Sequence, residues 1–554
     1  MTSTIEIGHP SGTNRPEGFS AGKRYGLTLL ILLAIVCVRF AYLRHWENTL
    51  DADEAVVGIM ALHIVEQKAL PIFYYGQAYM GTLEQFSMAL FFKLAGFYPE
   101  AVRWVPVVYF LLSLFLFFCL IRRYVYPNRF NLTLSFLIFP SLYSTIWSMK
   151  ARGGFIEVVF LFLLYLLLLF RSERVGKGRS GYVMAFLAGF STYVNTLSLP
   201  FFLVAAVVSH LRTSERAGLQ RTLFSKRALG LSLFFLLGLS PMFVYILVHG
   251  RAYGVSFGLD LLQSWVEKLD IVFLQVLPLL FGVYLRGLEG LDAIVFSEFL
   301  LFLLTAIAFV YSLLKYRHSF VSLLFLRRAD YPKAFTFVSL LPLFLLLWFV
   351  STYIHDIKNV RYFIPVVFLI PVYLTEFTLF LEQRSQALAG VFWLLVLLAG
   401  LGSSWQFLAN DPKEARYTKT FQTLIDHGHN TQPLIDFLIE NDLKVGYADY
   451  WIQLNIVYLS KEDLVYATYG RNRYAPYLEK VKEVEFPPHI DFRAEVADPD
   501  KKARTYSKMY RAPYQWRVVG DYIVFSCDDS THSKRMEEKD AETRRKGSDS
   551  SKRQ

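Results

Sequence analysis

Cysteine and charge are both scarce in this chain. Three cysteines in 554 residues are too few for a disulfide framework, and two of them, Cys37 and Cys119, fall inside apolar runs. Only Cys527 lies outside, so no disulfide and no zinc site is implied. Charged residues make up 19% of the chain against 54% hydrophobic, a balance that excludes an ordinary soluble domain and fits a polytopic membrane protein. Other absences narrow the class further. There is no Walker A loop, no G-x-G-x-x-G after a strand and no evident nucleotide-binding domain, so a soluble nucleotide donor is not implied. The first hydrophobic segment lacks a small-residue cleavage site and is expected to remain as an uncleaved anchor. No internal repeat of the kind many transporters carry is visible.

What the sequence does have is long apolar blocks separated by short basic stretches. A bilayer core takes about 20 apolar residues per helix and requires backbone polar groups to be satisfied internally, so the blocks predict transmembrane helices. Eleven are expected, near 25–43, 101–120, 132–149, 155–170, 181–193, 198–211, 228–248, 292–314, 335–354, 361–381 and 387–408. With the N-terminus placed inside, the cytoplasmic segments carry about twice as many Lys and Arg as the outward ones. The positive-inside rule therefore puts the N-terminus in the cytoplasm and the C-terminal region outside. The net charge of +11 reads as this topology signal and not as a nucleic-acid surface.

Residues 1–24 form a polar arm, 25–408 the membrane domain with a long outward loop at 44–100, and 409–529 a small α/β extracytoplasmic domain. The charged stretch 530–554 is expected to be disordered. In the loop, apolar residues after Asp53 recur at helical spacing and predict a short helix lying along the membrane surface. A second amphipathic or re-entrant helix is expected from Thr82. KVGYADYW and RVVGDYIVFSC read as strands, PLIDFLIEN and RYAPYLEKVKEV as helices.

Three polar clusters share the outward face. The first is LDADEAVVG at 50–58, with Asp51, Asp53 and Glu54 within four positions. Carboxylates there suit helix capping, or a general base that takes a proton from an incoming hydroxyl. The second, MKARGGFIE, places Arg152 beside Gly153 and Gly154, whose backbone can approach a ligand closely and present its N–H groups. Lys150 and Arg152 could equally snorkel at the interface. In the third, HDIKNVRYFIP, Arg361 opens a helix where a cation opposes the dipole and so calls for phosphate or a carboxylate, Asp356 or Glu376. Lys358 and His355 are candidates of the same kind. Between these clusters, IFYYGQAYMGTLEQ offers Tyr75, Gln77, Tyr79 and Glu84, which suit a sugar or acceptor, although interfacial tyrosines also serve as membrane anchors. Arg39, near the outer end of the first span, can snorkel or hold a phosphate. An acidic base, several cations and aromatic surface on a membrane scaffold suit group transfer from a lipid-linked phosphate donor to a hydroxyl.

The Asp53–Glu54 pair after the first span, GIMALHIVEQKALPIFYYGQAYMGTLEQ, the RGG at 152–154 and the RYFIP at 361–365 together resemble the GT-C fold membrane glycosyltransferases. The closer likeness is to the family 39-like group, which includes protein O-mannosyltransferases and the lipid A aminoarabinose and galacturonic acid transferases. The resemblance implies a polyprenyl-phosphate sugar donor, inversion at the anomeric carbon, Asp53 as base and Glu54 supporting the site or acceptor. It implies no cofactor and no catalytic metal. The lysine and consecutive prolines common in that family's first-loop motif are replaced here by GQAYMGTLE. The acceptor is then a lipid, a glycan or a protein, and the location a bacterial inner membrane. A glycan ligase or polymerase using a lipid-linked oligosaccharide is the alternative enzyme. A transporter or flippase would place charge at the bilayer midplane instead of at its outer boundary.

Overall fold

The computed structural model describes residues 21–45, 50–175, 179–213, 226–250, 265–281, 283, 293–327, 329, 331–349, 363, 365–409, 430–470 and 472–527. Among these, six helices are long and apolar enough to cross a membrane: Gly22–His45, Ala101–Val125, Phe155–Glu173, Phe296–Lys315, Pro365–Arg384 and Gln386–Ala409. A seventh span results if Lys226–Gly238 and Ser240–His249, which meet at 58°, are counted together. Pro241 lies at that break, where it cannot donate to the preceding turn. Thr196–Arg212 and Lys333–Leu346 are shorter apolar helices. The run expected as one span at 132–149 is instead two short helices, Phe130–Ser135 and Leu142–Trp147. Pro140 interrupts it, and Ser141 restarts the helix by accepting from the Ser144 N–H through its side chain.

Helix α1 (Ala21–His45) exposes Leu29, Leu30, Leu33 and Phe40. Gln386–Ala409 exposes Leu388, Val391, Leu394 and Leu398. Such apolar girdles are stable only against lipid, so the chain is an integral membrane protein.

The first loop contains helix α2 (Ala52–Val65), a hairpin of β1 (Phe73–Tyr74) with β2 (Gln77–Gly81), and helix α3 (Leu83–Ala95). Gly76 makes the hairpin turn at φ +69°. The apolar residues of helix α2, expected to face a membrane surface, are covered by protein: nearly all of it from Ala52 to His63 is buried. It is apolar all round, and a helix of that kind needs cover on every face. The cover comes partly from the C-terminal domain.

That domain is a five-stranded sheet in the order β4-β3-β5-β7-β6, with β3 (Val445–Ala448), β4 (Val465–Ala467), β5 (His489–Phe492), β6 (Tyr514–Val519) and β7 (Tyr522–Cys527). β3 runs parallel to β4 and β5, and β7 antiparallel to β5 and β6. The stretch expected as one terminal strand is thus a hairpin turning at Gly520, φ +58°. The helix Tyr450–Leu459 lies on α2. Asn455 donates to the Leu50 carbonyl at 2.8 Å, Tyr458 to that of Pro99 at 3.0 Å, and the Tyr458 ring fills the space where a side chain at Gly58 would be.

Candidate active site

The three carboxylates at the start of α2 have three different surroundings. Asp51 caps the helix: its Oδ1 accepts from the N–H groups of Asp53 at 2.9 Å and Glu54 at 3.0 Å, while the Asp51 N–H donates to Glu54 Oε2 at 3.3 Å. This reciprocal pattern is the capping box. Asp51 Oδ2 meets Lys150 Nζ at 2.7 Å and Arg152 at 2.9 Å. Burial opposes the charge on Asp51, but Arg152 and Lys150 outweigh it and hold the carboxyl down to about 2. Glu54 is gripped by Arg103, whose Nε and terminal nitrogen each reach a carboxylate oxygen at 2.9 Å.

Asp53 differs in access. Its side chain is 13% exposed, against 1% for both Asp51 and Glu54, so it is the one of the three that an incoming group can meet. Arg152 pairs with its Oδ2 at 2.8 Å. Oδ1 accepts from the Tyr450 hydroxyl at 2.9 Å and from Arg473 at 3.2 Å. The Tyr74 hydroxyl donates to the Asp53 backbone carbonyl at 2.8 Å. Asp53, Tyr74, Gln77, Tyr79, Arg152 and Phe155 line a cleft at this point.

Arg152 is positioned by the segment after Trp147, where Gly153 and Gly154 adopt φ +90° and +92°. Their adjacent N–H groups converge on Glu84 Oε2 of α3, at 2.5 and 3.3 Å. Such a nest favours an anion, and here a side chain of the same protein occupies it. Burial pushes the Glu84 carboxyl up to about 7 against the pull of those N–H groups.

Of the other residues singled out in the first loop, Gln77 turns its amide oxygen to Arg473 at 2.7 and 2.9 Å. The Tyr75 hydroxyl sits 2.8 Å from His63 Nδ1, and its ring stacks on Tyr474 at 5.0 Å. His63 Nε2 is 2.9 Å from Glu462, which also accepts from Lys68 at 2.6 Å and Tyr477 at 2.7 Å. Burial alone would raise the Glu462 carboxyl, but the bonds from His63, Lys68 and Tyr477 hold it at about 2. Arg39 is buried, with its guanidinium over the Phe110 ring at 3.9 Å and a bond to the Ile35 carbonyl at 3.1 Å. His355, Lys358 and Arg361 lie outside the described residues. Glu376, offered as a partner for Arg361, pairs with Lys315 and accepts from Tyr126.

Asp53, Arg152, Gln77 and Tyr79 thus come together at one cleft, while Glu54, Glu84 and Tyr75 are engaged in neighbouring contacts. The sequence assigned no site role to Tyr450 or Arg473, whose stretches KVGYADYW and RYAPYLEKVKEV read as a strand and a helix. Among the described residues, no group of three or more His, Cys, Asp or Glu side chains could hold a metal ion.

No family model matches the chain, and no curated protein matches it. Two solved structures match almost end to end. ArnT from Cupriavidus metallidurans in the apo state is 10% identical with a TM-score of 0.56, over 92% of this chain and 99% of that one. ArnT from the same organism bound to undecaprenyl phosphate is 11% identical with a TM-score of 0.55, over 91% and 98%. The chain therefore has the fold of ArnT, the GT-C fold, from its membrane helices through its C-terminal sheet.

Proposed function

We propose that this chain is a membrane glycosyltransferase that moves a sugar from a polyprenyl-phosphate donor to an acceptor hydroxyl at the extracytoplasmic face. The observation that carries this reading is Asp53: a partly accessible carboxylate at a cleft, flanked by two guanidinium groups, at the N-terminal end of α2. The likeness in fold to a protein solved with undecaprenyl phosphate supports the lipid-phosphate donor.

Asp53 accepts the proton of the acceptor hydroxyl as that oxygen bonds to the anomeric carbon. The bond from that carbon to the phosphate oxygen breaks in the same step, with its electron pair leaving on the phosphate. Attack opposite the leaving group inverts the configuration. Arg152, 2.8 Å from Asp53, places a fixed positive charge where negative charge gathers on the phosphate, an effect strengthened by its burial. Glu54 and Asp51 act on the site through the helix start they hold in place.

The test is sugar release from a panel of polyprenyl-phosphate sugars by the purified chain in lipid nanodiscs, with lipid, glycan and peptide acceptors supplied. Asp53→Asn at matched thermal stability is expected to lower donor consumption by roughly 10² to 10⁴. Equal consumption would remove Asp53 as the base. A wild-type protein that consumes no donor in the panel would remove the donor class.

A further inference from the structure

The C-terminal domain reaches Asp53 from one particular edge of its sheet. The segment leaving the C-terminal end of β3 carries Tyr450, and the segment leaving the end of β4 carries Arg473. β3 has β4 on one side and β5 on the other, so the strand order reverses there. In open α/β sheets, ligands bind outside the carboxyl ends of parallel strands at such a reversal. Here that edge faces the first loop.

Arg473 holds Asp53 differently from Arg152. Arg152 bridges two carboxylates at 2.9 and 2.8 Å and is 3% exposed. Arg473 meets a single carboxylate oxygen at 3.2 Å and is 11% exposed. The rest of its guanidinium rests on neutral groups: Nε donates to the Tyr450 hydroxyl at 2.6 Å, and the terminal nitrogens donate to the Gln77 carbonyl. Its charge lies 5.7 Å from the Tyr74 ring centre and 5.5 Å from that of Tyr450. A guanidinium prefers a bidentate oxyanion to one long carboxylate contact and two neutral acceptors. It sits on Gln77, which lines the cleft together with Asp53.

We propose that Arg473 is a donor-operated latch on Asp53: the phosphate of the incoming lipid-linked sugar takes the guanidinium, and the carboxylate oxygen so released accepts the acceptor's proton. This rests on the donor class proposed above. The donor is a phosphodiester with one negative charge, and the departing lipid monophosphate gains a second as the sugar leaves. Arg473 therefore binds the phosphate more strongly as the reaction proceeds, which is the condition for lowering the barrier. The acceptor is activated only after the donor has bound.

The test uses polyprenyl phosphate alone, without sugar or acceptor, and measures its affinity for the full chain in nanodiscs. Wild type, Arg473→Gln, Asp53→Asn and the double variant form a cycle. Arg473→Gln is expected to weaken binding about tenfold or more. Asp53→Asn tightens it several-fold by removing the competing carboxylate, and most of that gain disappears in the Arg473→Gln background. A gain of equal size in both backgrounds, or Arg473→Gln binding as tightly as wild type, overturns the latch while leaving the donor class intact. Wild type that does not bind polyprenyl phosphate overturns the donor class and the latch with it. If Arg473→Gln does not fold, Arg473→Lys replaces it: the charge stays, the fork is lost, and binding still falls several-fold if the fork holds the phosphate.

Discussion

Replacing Glu54 by glutamine would leave a buried guanidinium without its counter-charge. Arg103 and Glu54 are 6% and 1% exposed, and they meet through two parallel 2.9 Å contacts. Removing one member of such a buried pair costs about 3–5 kcal/mol. Glutamine retains one acceptor oxygen for Arg103, so roughly 3 kcal/mol is expected. That is a large part of the stability of a typical domain, and the thermal midpoint of the chain in nanodiscs should fall by several degrees. The paired change Glu54→Leu with Arg103→Met removes both charges and should recover most of the loss, because two apolar side chains replace a desolvated ion pair. A Glu54→Gln protein that melts with the wild type would refute the reasoning. A double variant that melts normally yet consumes no donor would give Glu54 a part in the chemistry beyond holding the start of α2.

Glu84 predicts a dependence on pH. Its carboxyl is pushed from the usual 4.5 to about 7 by burial, so the folded chain keeps a proton that the unfolded chain has lost. The stability tied to this group is complete below about 4.5 and is lost as pH rises through about 7, on the order of 3 kcal/mol across the window. Glu84→Gln should flatten that part of the melting profile, and an unchanged slope would refute the assignment. Gly58→Ala tests the seat of the C-terminal domain. The added Cβ would lie 2.1 Å from the Tyr458 ring, and overpacking at that contact should cost about 1–3 kcal/mol, more than the roughly 1 kcal/mol that alanine gains in a helix interior. Limited proteolysis of the C-terminal domain should accelerate, and wild-type resistance would show that the contact yields without cost.

The membrane character, the loop helices and the cap of α2 were legible in the sequence because each is set by neighbours along the chain. Apolar runs of bilayer length need nothing remote to identify them, and Asp51 with Glu54 three residues later forms a capping pattern within one turn. The breaks at Pro140 and Pro241 were not read, because hydropathy averaged over 132–149 and 228–248 made each run look like one span. The partners of the carboxylates were not legible. Glu54 meets Arg103 across 49 residues, Asp53 meets Arg152 across 99 and Arg473 across 420, and no local periodicity records those separations.

The same limit explains α2 itself. Its spacing predicted a helix, but whether its outer face met lipid, water or protein depended on the Tyr450–Leu459 helix some 400 positions later in the chain. The sequence determined that several charges would gather beyond the ends of the apolar runs, since charge is excluded from the bilayer core. Only the tertiary structure decided which of them would neutralise one another and which would stay within reach of a ligand, because electrostatic pairing follows distance in space and desolvation follows burial.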